Sequence, residues 1–91
     1  MEIQISPDLL KRFRSLKRRD KSLSAKIEKQ LALFQQNPHY PSLRNHQLVG
    51  SQQQVWSISI TGSVRMLYAI LEDEIFYFFD LGTHDQVYRR S

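Results

Sequence analysis

The apolar residues of this sequence change their spacing near residue 37, and that change constrains the fold more than any other feature. Before it, two groups recur at the spacing of a helix face: Leu9, Leu10, Phe13 and Leu16, then Leu23, Ile27, Leu31 and Phe34. After it, apolar residues alternate with polar ones or run continuously, which is the pattern of strands. A chain of 91 residues has room for one core, so we expect a single domain, residues 1–91, with helices packed on a sheet.

The residues that flank the two helices predict where each begins and ends. Ser6-Pro7-Asp8 is typical of a helix start, because serine caps the first turn, proline fits its geometry and the acid complements the helix dipole. Lys17-Arg18-Arg19-Asp20-Lys21 interrupts the apolar stripe and predicts a turn. Ser22 or Ser24 would then cap the second helix, which ends at Asn37-Pro38 because the residue before proline avoids helical angles.

Four segments have the patterns of strands: Glu2 to Ile5, Val55 to Ile60, Val64 to Leu71 and Ile75 to Leu81. The segment 37–54 predicts an irregular connection, and a loop of that length usually either has a function or contains a short element. Gly82 ends the last strand and leaves residues 83–91 as a short tail. The order is β-α-α-β-β-β, an α+β fold with a helical hairpin packed on a mostly antiparallel four-stranded sheet.

Several classes of protein are excluded by composition. The sequence contains no cysteine, so it can form no disulfide and has no thiolate metal site or thiol nucleophile. Its apolar runs, such as Ile75 to Phe79, are too short to span a bilayer. The N-terminal residues lack the basic and apolar regions of a signal peptide. We therefore expect a soluble, cytoplasmic protein that does not contact membranes.

Positive charge is concentrated in the predicted hairpin. Residues 11–29 contain nine basic residues and two acids, whereas residues 45–91 contain only three basic residues against five acids. Such a block attracts polyanions through long-range steering and counterion release, which indicates a nucleic-acid or ribosome partner. The alternative is a pair of solvated helix faces that happen to be rich in lysine and arginine.

Four features in this order resemble the RelE/ParE superfamily of bacterial toxins, and especially its YafQ-like ribonuclease branch. They are the basic hairpin, Asn45-His46-Gln47-Leu48-Val49-Gly50, Val64-Arg65-Met66-Leu67-Tyr68, and Leu81-Gly82-Thr83-His84-Asp85-Gln86-Val87-Tyr88. The RelE-like and YafQ-like branches cut mRNA in the ribosomal A site, whereas the ParE-like branch inhibits DNA gyrase. The resemblance implies the toxin of a type II toxin–antitoxin system, with a cognate antitoxin, the ribosome and mRNA as partners and no cofactor.

Three residues are candidates for chemistry on RNA. The resemblance matches His84 to the family's C-terminal catalytic residue, and histidine suits proton transfer because it titrates near neutral pH. Arg65 matches the strand arginine that binds phosphate, which its fork of N–H groups fits well. His46 matches a possible second proton-transfer group. The alternatives are a surface histidine in a tail for His84, an ion pair with an acid between Glu72 and Asp80 for Arg65, and a solvated loop residue for His46.

The remaining site residues are candidates for RNA binding. Tyr88 matches an aromatic residue that stacks on a base, although it could instead pack against the sheet edge. The basic candidates are Arg14, Lys17, Arg18, Arg19, Arg89 and Arg90. Three scattered histidines make a poor metal site, so we expect no metal.

The sequence also departs from the family pattern. The histidine or arginine that nuclease members carry on the second strand falls near Ser59 or Thr61 in this chain. The acid that they carry in the following turn falls near Ser63. Serine neither accepts protons well at neutral pH nor carries charge. The alternative function is therefore a ParE-like gyrase inhibitor without nuclease activity, or a degenerate toxin that only binds its antitoxin.

Overall fold

A computed structural model describes residues 1–49 and 54–90, except for the side chain of Asp73. Gly50, the last residue of the segment that resembles the toxin family, lies outside the described residues. Two one-turn 3₁₀ helices, Pro41–Leu43 and Glu72–Glu74, lie between the main elements. In chain order the main elements are β1 (Glu2–Ile5), α1 (Pro7–Arg19), α2 (Lys21–Gln36), β2 (His46–Gln47), β3 (Val55–Ser59), β4 (Val64–Leu71), β5 (Ile75–Thr83) and α3 (His84–Arg90).

The sheet has five strands in the order β1-β5-β4-β3-β2. Strand β1 runs parallel to β5, and the other neighbours are antiparallel. The predicted α+β class is confirmed, but the predicted number of four strands is wrong. The fifth strand, β2, lies inside the expected connection of residues 37–54, where His46 pairs with Ser57 and Gln47 with Trp56. Two exposed polar residues carry no alternation that a sequence pattern could reveal.

The predicted turn at residues 17–21 is wrong, because α1 continues through all three basic residues and ends at Arg19. Lysine and arginine form helices readily, and their charge is favourable near a helix C-terminus. Asp20 alone separates the two helices. Its N–H bonds the carbonyl of Leu16 at 2.8 Å, and its side chain accepts from the N–H of Leu23 at 3.1 Å. Asp20 therefore caps α2 in place of the predicted Ser22 or Ser24, whereas the predicted Ser6 cap of α1 is confirmed.

The main core lies between the helical hairpin and one face of the sheet. Leu9, Ile27 and Phe34 from the helices pack against apolar side chains of β3, β4 and β5. The ring of Phe34 meets the rings of Tyr68 and Phe78 edge to face, with centroids 5.1 and 5.2 Å apart. This packing holds the hairpin against the sheet and leaves the opposite face for other contacts.

A smaller core on the opposite face holds α3, where the sequence predicted only a tail. Val87 is fully buried there beside Leu67 of β4. The register of β4 against β5 shifts at Leu67 and Tyr68, which pair with Asp80 and Phe78 respectively. Strand β5 also continues through Gly82 to Thr83, two residues past the predicted end. A helix of seven residues contains too little apolar periodicity to be recognised in the sequence. Within the described parts of the chain, no helix is both long and apolar enough to cross a membrane.

Candidate active site on the face opposite the helical hairpin

Arg65 lies on β4, between Ser59 of β3 and Gly82 of β5, with its side chain half-buried. Its Nε donates to Ser57 Oγ, and its Nη2 donates to the carbonyl of Arg44 at 3.0 Å. Both acceptors are neutral. Burial lowers the pKa of Arg65, while the nearby Tyr88 raises it and the Arg44 cation lowers it. Arg65 is therefore a partly desolvated cation held in place by uncharged groups.

The alternative interpretation of Arg65 required an ion pair with an acid between Glu72 and Asp80. Among the described side chains no carboxylate lies within salt-bridge distance of Arg65. Asp80 instead binds Arg12 and Arg90, at 3.2 and 3.0 Å. A half-buried cation without an acidic partner attracts an anion from solution, and phosphate matches the fork of a guanidinium.

His46 lies beside Arg65, on the edge strand β2. Its Nδ1 is 2.9 Å from the carbonyl of Arg44 and 3.3 Å from Arg65 Nη2. Guanidinium nitrogens only donate, so Nδ1 cannot be protonated and also accept from Arg65. The shorter contact to a carbonyl assigns the proton to Nδ1. In the neutral ring Nε2 then keeps its lone pair, and the exposed side chain can offer it to a substrate.

His84 and Tyr88 lie one turn apart on α3, and their ring centroids are 4.2 Å apart. The start of α3 is a capping box, in which Gln86 N–H donates to Thr83 Oγ1 at 3.3 Å and Thr83 N–H donates to Gln86 Oε1 at 2.9 Å. His84 is the first residue of the helix, and the carboxylate of Asp85 lies 3.9 Å from its Nδ1. The predicted tail is thus a defined support for both rings.

An open cleft of about 380 Å³ joins the two halves of the site. Its lining residues come from the turn after β3, from β4 and from the start of α3: Gly62, Ser63, Arg65, Thr83, His84 and Asp85. Arg65 thus lines the same cleft as His84 and contacts His46. Tyr88 is close enough to Arg65 to affect its pKa. Four residues predicted from separate parts of the sequence therefore lie on one face of the sheet.

The basic candidates are distributed differently. Arg14 and Lys17 line an outer groove between α1 and α2, on the side of the sheet away from the cleft. Arg18 is exposed on α1, and Arg19 lines a groove that reaches Thr83, next to His84. Arg89 is exposed on α3, whereas Arg90 forms an ion pair with Asp80.

At the positions that depart from the family pattern, the hydroxyls of Ser59 and Thr61 make local hydrogen bonds. Ser59 is buried and donates to the carbonyl of Thr61 at 2.8 Å. The hydroxyl of Thr61 accepts from the N–H groups of Ser63 and Val64, which shapes the turn. None of these residues supplies a titratable group to the cleft.

Sequence reasoning missed three contributors to the site: Ser57, the Arg44 carbonyl and Asp85. The alternation of β3 placed Ser57 on the face opposite Trp56, but nothing in the sequence indicated that Arg65 would donate to it. The orientation of the Arg44 carbonyl depends on a left-handed backbone with φ of 46°, which no sequence pattern here indicates.

Among the described residues, no cluster of three histidine, cysteine or acidic side chains could hold a metal ion.

Comparison with known proteins identifies the fold through structure. No protein-family model and no curated protein sequence matches the chain. Among solved structures, a YoeB/ParE toxin from Agrobacterium tumefaciens matches with a TM-score of 0.76 and 18% identity, covering 92% of this chain and 99% of that one. YafQ from E. coli strain BL21(DE3) matches with a TM-score of 0.73 and 20% identity, covering 96% and 97%.

A third match is the YoeB–YefM complex from Staphylococcus aureus, with a TM-score of 0.73 and 18% identity, covering 92% of this chain and 97% of that one. All three matches extend over nearly the whole of both chains. The fold as a whole is therefore shared with these proteins. The chain has the RelE/ParE-like toxin fold that the sequence resemblance predicted.

Proposed function

We propose that this protein is the toxin of a type II toxin–antitoxin system and acts as a metal-independent endoribonuclease on ribosome-bound mRNA. The observation that carries the proposal is Arg65, a half-buried cation that lacks an acidic partner among the described residues and stands between His46 and the cleft that His84 lines. RNA cleavage by the 2′-hydroxyl needs a proton acceptor and a proton donor near the phosphate, and the two histidines can fill these roles. The likeness in fold to YafQ and YoeB supports the same activity.

Each residue has a distinct role in the proposed reaction. His46 Nε2 takes the proton of the 2′-hydroxyl, and the 2′-oxygen attacks the adjacent phosphorus. The bond from phosphorus to the 5′-oxygen breaks, and His84 gives that oxygen a proton. Arg65 binds the non-bridging oxygens and stabilises the extra charge that develops on them. The products are a 2′,3′-cyclic phosphate and a 5′-hydroxyl end.

Tyr88 and the basic residues would bind the RNA substrate and the ribosome. The Tyr88 ring, already against His84, would stack on a base next to the scissile phosphate, a contact usually worth about 1–3 kcal/mol. Arg14, Lys17, Arg18 and Arg19 would contact ribosomal RNA, and Arg89 the message. Arg19 is best placed to connect the two surfaces, because its groove reaches Thr83.

An antitoxin is the protein partner that we propose. The matched YoeB structure from Staphylococcus aureus is a complex with YefM, and the similarity in fold covers nearly all of that YoeB chain. A cognate antitoxin would bind this chain and block access to the cleft. The ribosome and the antitoxin would then compete for the same molecule.

The competing candidate is a gyrase inhibitor of the ParE type. It is favoured by Ser59, Thr61 and Ser63, which supply no acid or base to the cleft. The hydroxyls of Ser59 and Thr61 are engaged in local hydrogen bonds. In the nuclease mechanism Asp85 compensates for the acid absent at Ser63, because both residues line the cleft. The two candidates differ in their target, and the target can be measured directly.

The test is induced expression in a bacterial host, with mRNA 5′ ends mapped and plasmid supercoiling measured in the same cells. We expect growth arrest with new in-frame 5′-hydroxyl ends in translated messages and unchanged supercoiling. A His84→Ala variant should lose these cuts while still folding. Relaxed or broken DNA with intact mRNA would contradict the nuclease and support gyrase as the target.

A further inference from the structure

Within the described residues, the second half of β5 has no strand on its outer side. Strand β1 pairs with β5 only as far as Phe78, and the chain then turns into α1, with Ser6 N–H bonded to the carbonyl of Phe78 at 2.9 Å. Beyond that point, the backbone groups of β5 on this edge need other partners. Asp80 lies at this edge and is almost fully buried.

Two arginines from opposite faces of the sheet meet at Asp80. Arg90 of α3 donates to it twice, from Nε to Oδ2 at 3.0 Å and from Nη2 to Oδ1 at 3.0 Å. Arg12 of α1 donates to the same Oδ1 from Nη1, at 3.2 Å. Both arginines also donate to the carbonyl of Leu81, and the N–H of Leu81 donates to Asp80 Oδ1 at 2.9 Å. The hydrogen bond to Asp80 raises the pKa of Arg90.

Gly82 gives the Arg90 side chain its route to Asp80. A methyl group at Gly82 would lie 2.9 Å from Arg90 Nη2 and 2.7 Å from Gln86 Oε1. Those two atoms belong to the ion pair and to the capping box of α3. A side chain at Gly82 would therefore disturb both ends of the helix together.

Helix α3 depends on such contacts, because seven residues are too few to be helical in isolation. It is held by the capping box at its start, by the buried Val87 in its middle and by Arg90 at its end. The same helix carries His84 and Tyr88. We propose that Asp80, through Arg90, is a positioning residue that holds α3 so that His84 and Tyr88 face Arg65.

This inference rests on the proposed function for its effect on cleavage, but not for its effect on α3. It assigns Arg90 a role different from that of Arg89, although both are arginines of the same helix. Arg90 would act within the protein and Arg89 on RNA. Lysine keeps the positive charge that attracts RNA, but it cannot reproduce the two-nitrogen contact with Asp80.

The experiment compares Arg90→Lys, Arg90→Gln, Asp80→Asn and the double variant Asp80→Asn/Arg90→Gln with Arg89→Gln as the matched control. The first readout is the rate of mRNA cleavage at saturating and at limiting concentrations of the ribosome–mRNA complex, which gives kcat and KM. The second is amide hydrogen exchange of Val87 and Tyr88 in the free protein, followed by NMR. The second readout needs no activity, so a failure of the proposed function cannot be mistaken for a failure of this inference.

We expect Arg90→Lys and Arg90→Gln each to lower kcat by roughly tenfold with little change in KM, as expected for loss of a charge-assisted hydrogen bond. Amide exchange in α3 should accelerate in both, while amides of α2 stay protected. The double variant should be no slower than Arg90→Gln alone, because the two residues act through each other. Arg89→Gln should raise KM and leave exchange in α3 unchanged.

Three results would overturn the inference. One is wild-type activity in Arg90→Lys with an equal rise of KM in Arg90→Gln and Arg89→Gln, which would make both arginines RNA contacts. Another is unchanged exchange of the α3 amides in Asp80→Asn and Arg90→Gln. The third is additive loss in the double variant, which would mean that Asp80 and Arg90 act independently. Because Arg90 is half-exposed, its variants should fold even if Asp80→Asn does not.

Discussion

Arg65 shows how neutral partners can keep a cation available for a ligand. A carboxylate in contact with the guanidinium would cancel its charge, whereas the Ser57 hydroxyl and the Arg44 carbonyl only orient it. Partial burial weakens the competition from water for the remaining N–H groups. The Arg44 carbonyl also bonds His46, so one backbone group orients both side chains. The phosphate binding and the proton transfer that we propose for this site would therefore depend on the same turn.

The hydrogen bond of His46 leads to a prediction at the residue scale. His46→Asn keeps an N–H that can donate to the Arg44 carbonyl but removes Nε2. We expect a folded protein whose cleavage rate falls by about a hundredfold or more, the usual contribution of a general base. Single-turnover rates of the wild type and the variant would measure this loss.

His39→Asn is the matched control, because His39 is exposed and outside the cleft. Its rate should equal that of the wild type. A His46→Asn variant that cleaves at the wild-type rate would remove His46 from the mechanism and leave proton abstraction to another group.

At the scale of elements, the short strand β2 depends on a side chain from the core. Tyr68 of β4 is buried, and its hydroxyl donates to Asn45 Oδ1 at 2.9 Å. Asn45 in turn donates to the carbonyl of Pro38 at 3.1 Å. A strand of two residues cannot hold itself in place, so this chain of contacts anchors the segment that carries His46.

Tyr68→Phe tests that anchor. The loss of the hydroxyl leaves Asn45 with an unpaired acceptor and should lower the free energy of unfolding by about 0.5–1.5 kcal/mol. The pKa of Tyr68 is raised, mainly because the side chain is buried. The folded protein therefore keeps the phenol proton at a pH where the unfolded chain loses it. Tyr68 therefore makes its full contribution to the free energy of unfolding below about pH 10, the ordinary pKa of a tyrosine side chain, and this contribution is lost as the pH rises further.

In Tyr68→Phe that part of the alkaline loss should disappear. Urea unfolding at pH 8 and above pH 10 would measure it, with Tyr40→Phe as a control because Tyr40 is exposed. Equal alkaline destabilisation of Tyr68→Phe and the wild type would contradict the assignment.

The junction of the two helices gives a second prediction at this scale. Asp20 closes α1 and caps α2, so Asp20→Ala should lower the free energy of unfolding by about 1 kcal/mol. Ser22→Ala and Ser24→Ala should change it by only a few tenths, because both serines lie inside α2, past its cap. Denaturant unfolding of the three variants would decide, and a larger effect at either serine would show that the cap is not Asp20.

On the scale of the whole molecule, the sheet separates two surfaces. The hairpin covers one face and carries most of the positive charge, while α3 and the cleft occupy the other. The two surfaces meet at the outer edge of β5, where Arg12 and Arg90 bind Asp80 and where the groove lined by Arg19 reaches Thr83. A large polyanion such as the ribosome could contact the hairpin while the message enters the cleft.

Charge reversal on the hairpin tests this arrangement. Replacing Arg14, Lys17 and Arg18 with glutamate should weaken association with the ribosome and reduce the steepness of its salt dependence by roughly two to three units of logarithmic slope. Binding measured at salt concentrations from about 50 to about 200 mM would show the change in slope. If the slope does not change, the hairpin is a solvated surface and its charge has no role in binding.

Much of the fold could be predicted because it rests on local, periodic patterns. The two helix stripes, the alternation of β3, the Ser6 cap and the α+β class all follow from spacing that is repeated over several residues. The types of residue suited to RNA chemistry, His46, Arg65 and His84, could likewise be identified from their chemistry and their motifs. These features belong to the sequence itself, because each depends on neighbours a few positions away.

The tertiary structure decided the elements and contacts that have no local period. Strand β2, of two residues, and helix α3, of seven, are too short for a repeating pattern, and each is held by residues from elsewhere in the chain. The contact of Arg65 with His46 joins residues that are 19 positions apart in the sequence, and the ion pair of Arg12 with Asp80 joins residues that are 68 positions apart. The spacing of residues along the sequence does not predict such contacts, because they form only when the sheet has brought its strands into register.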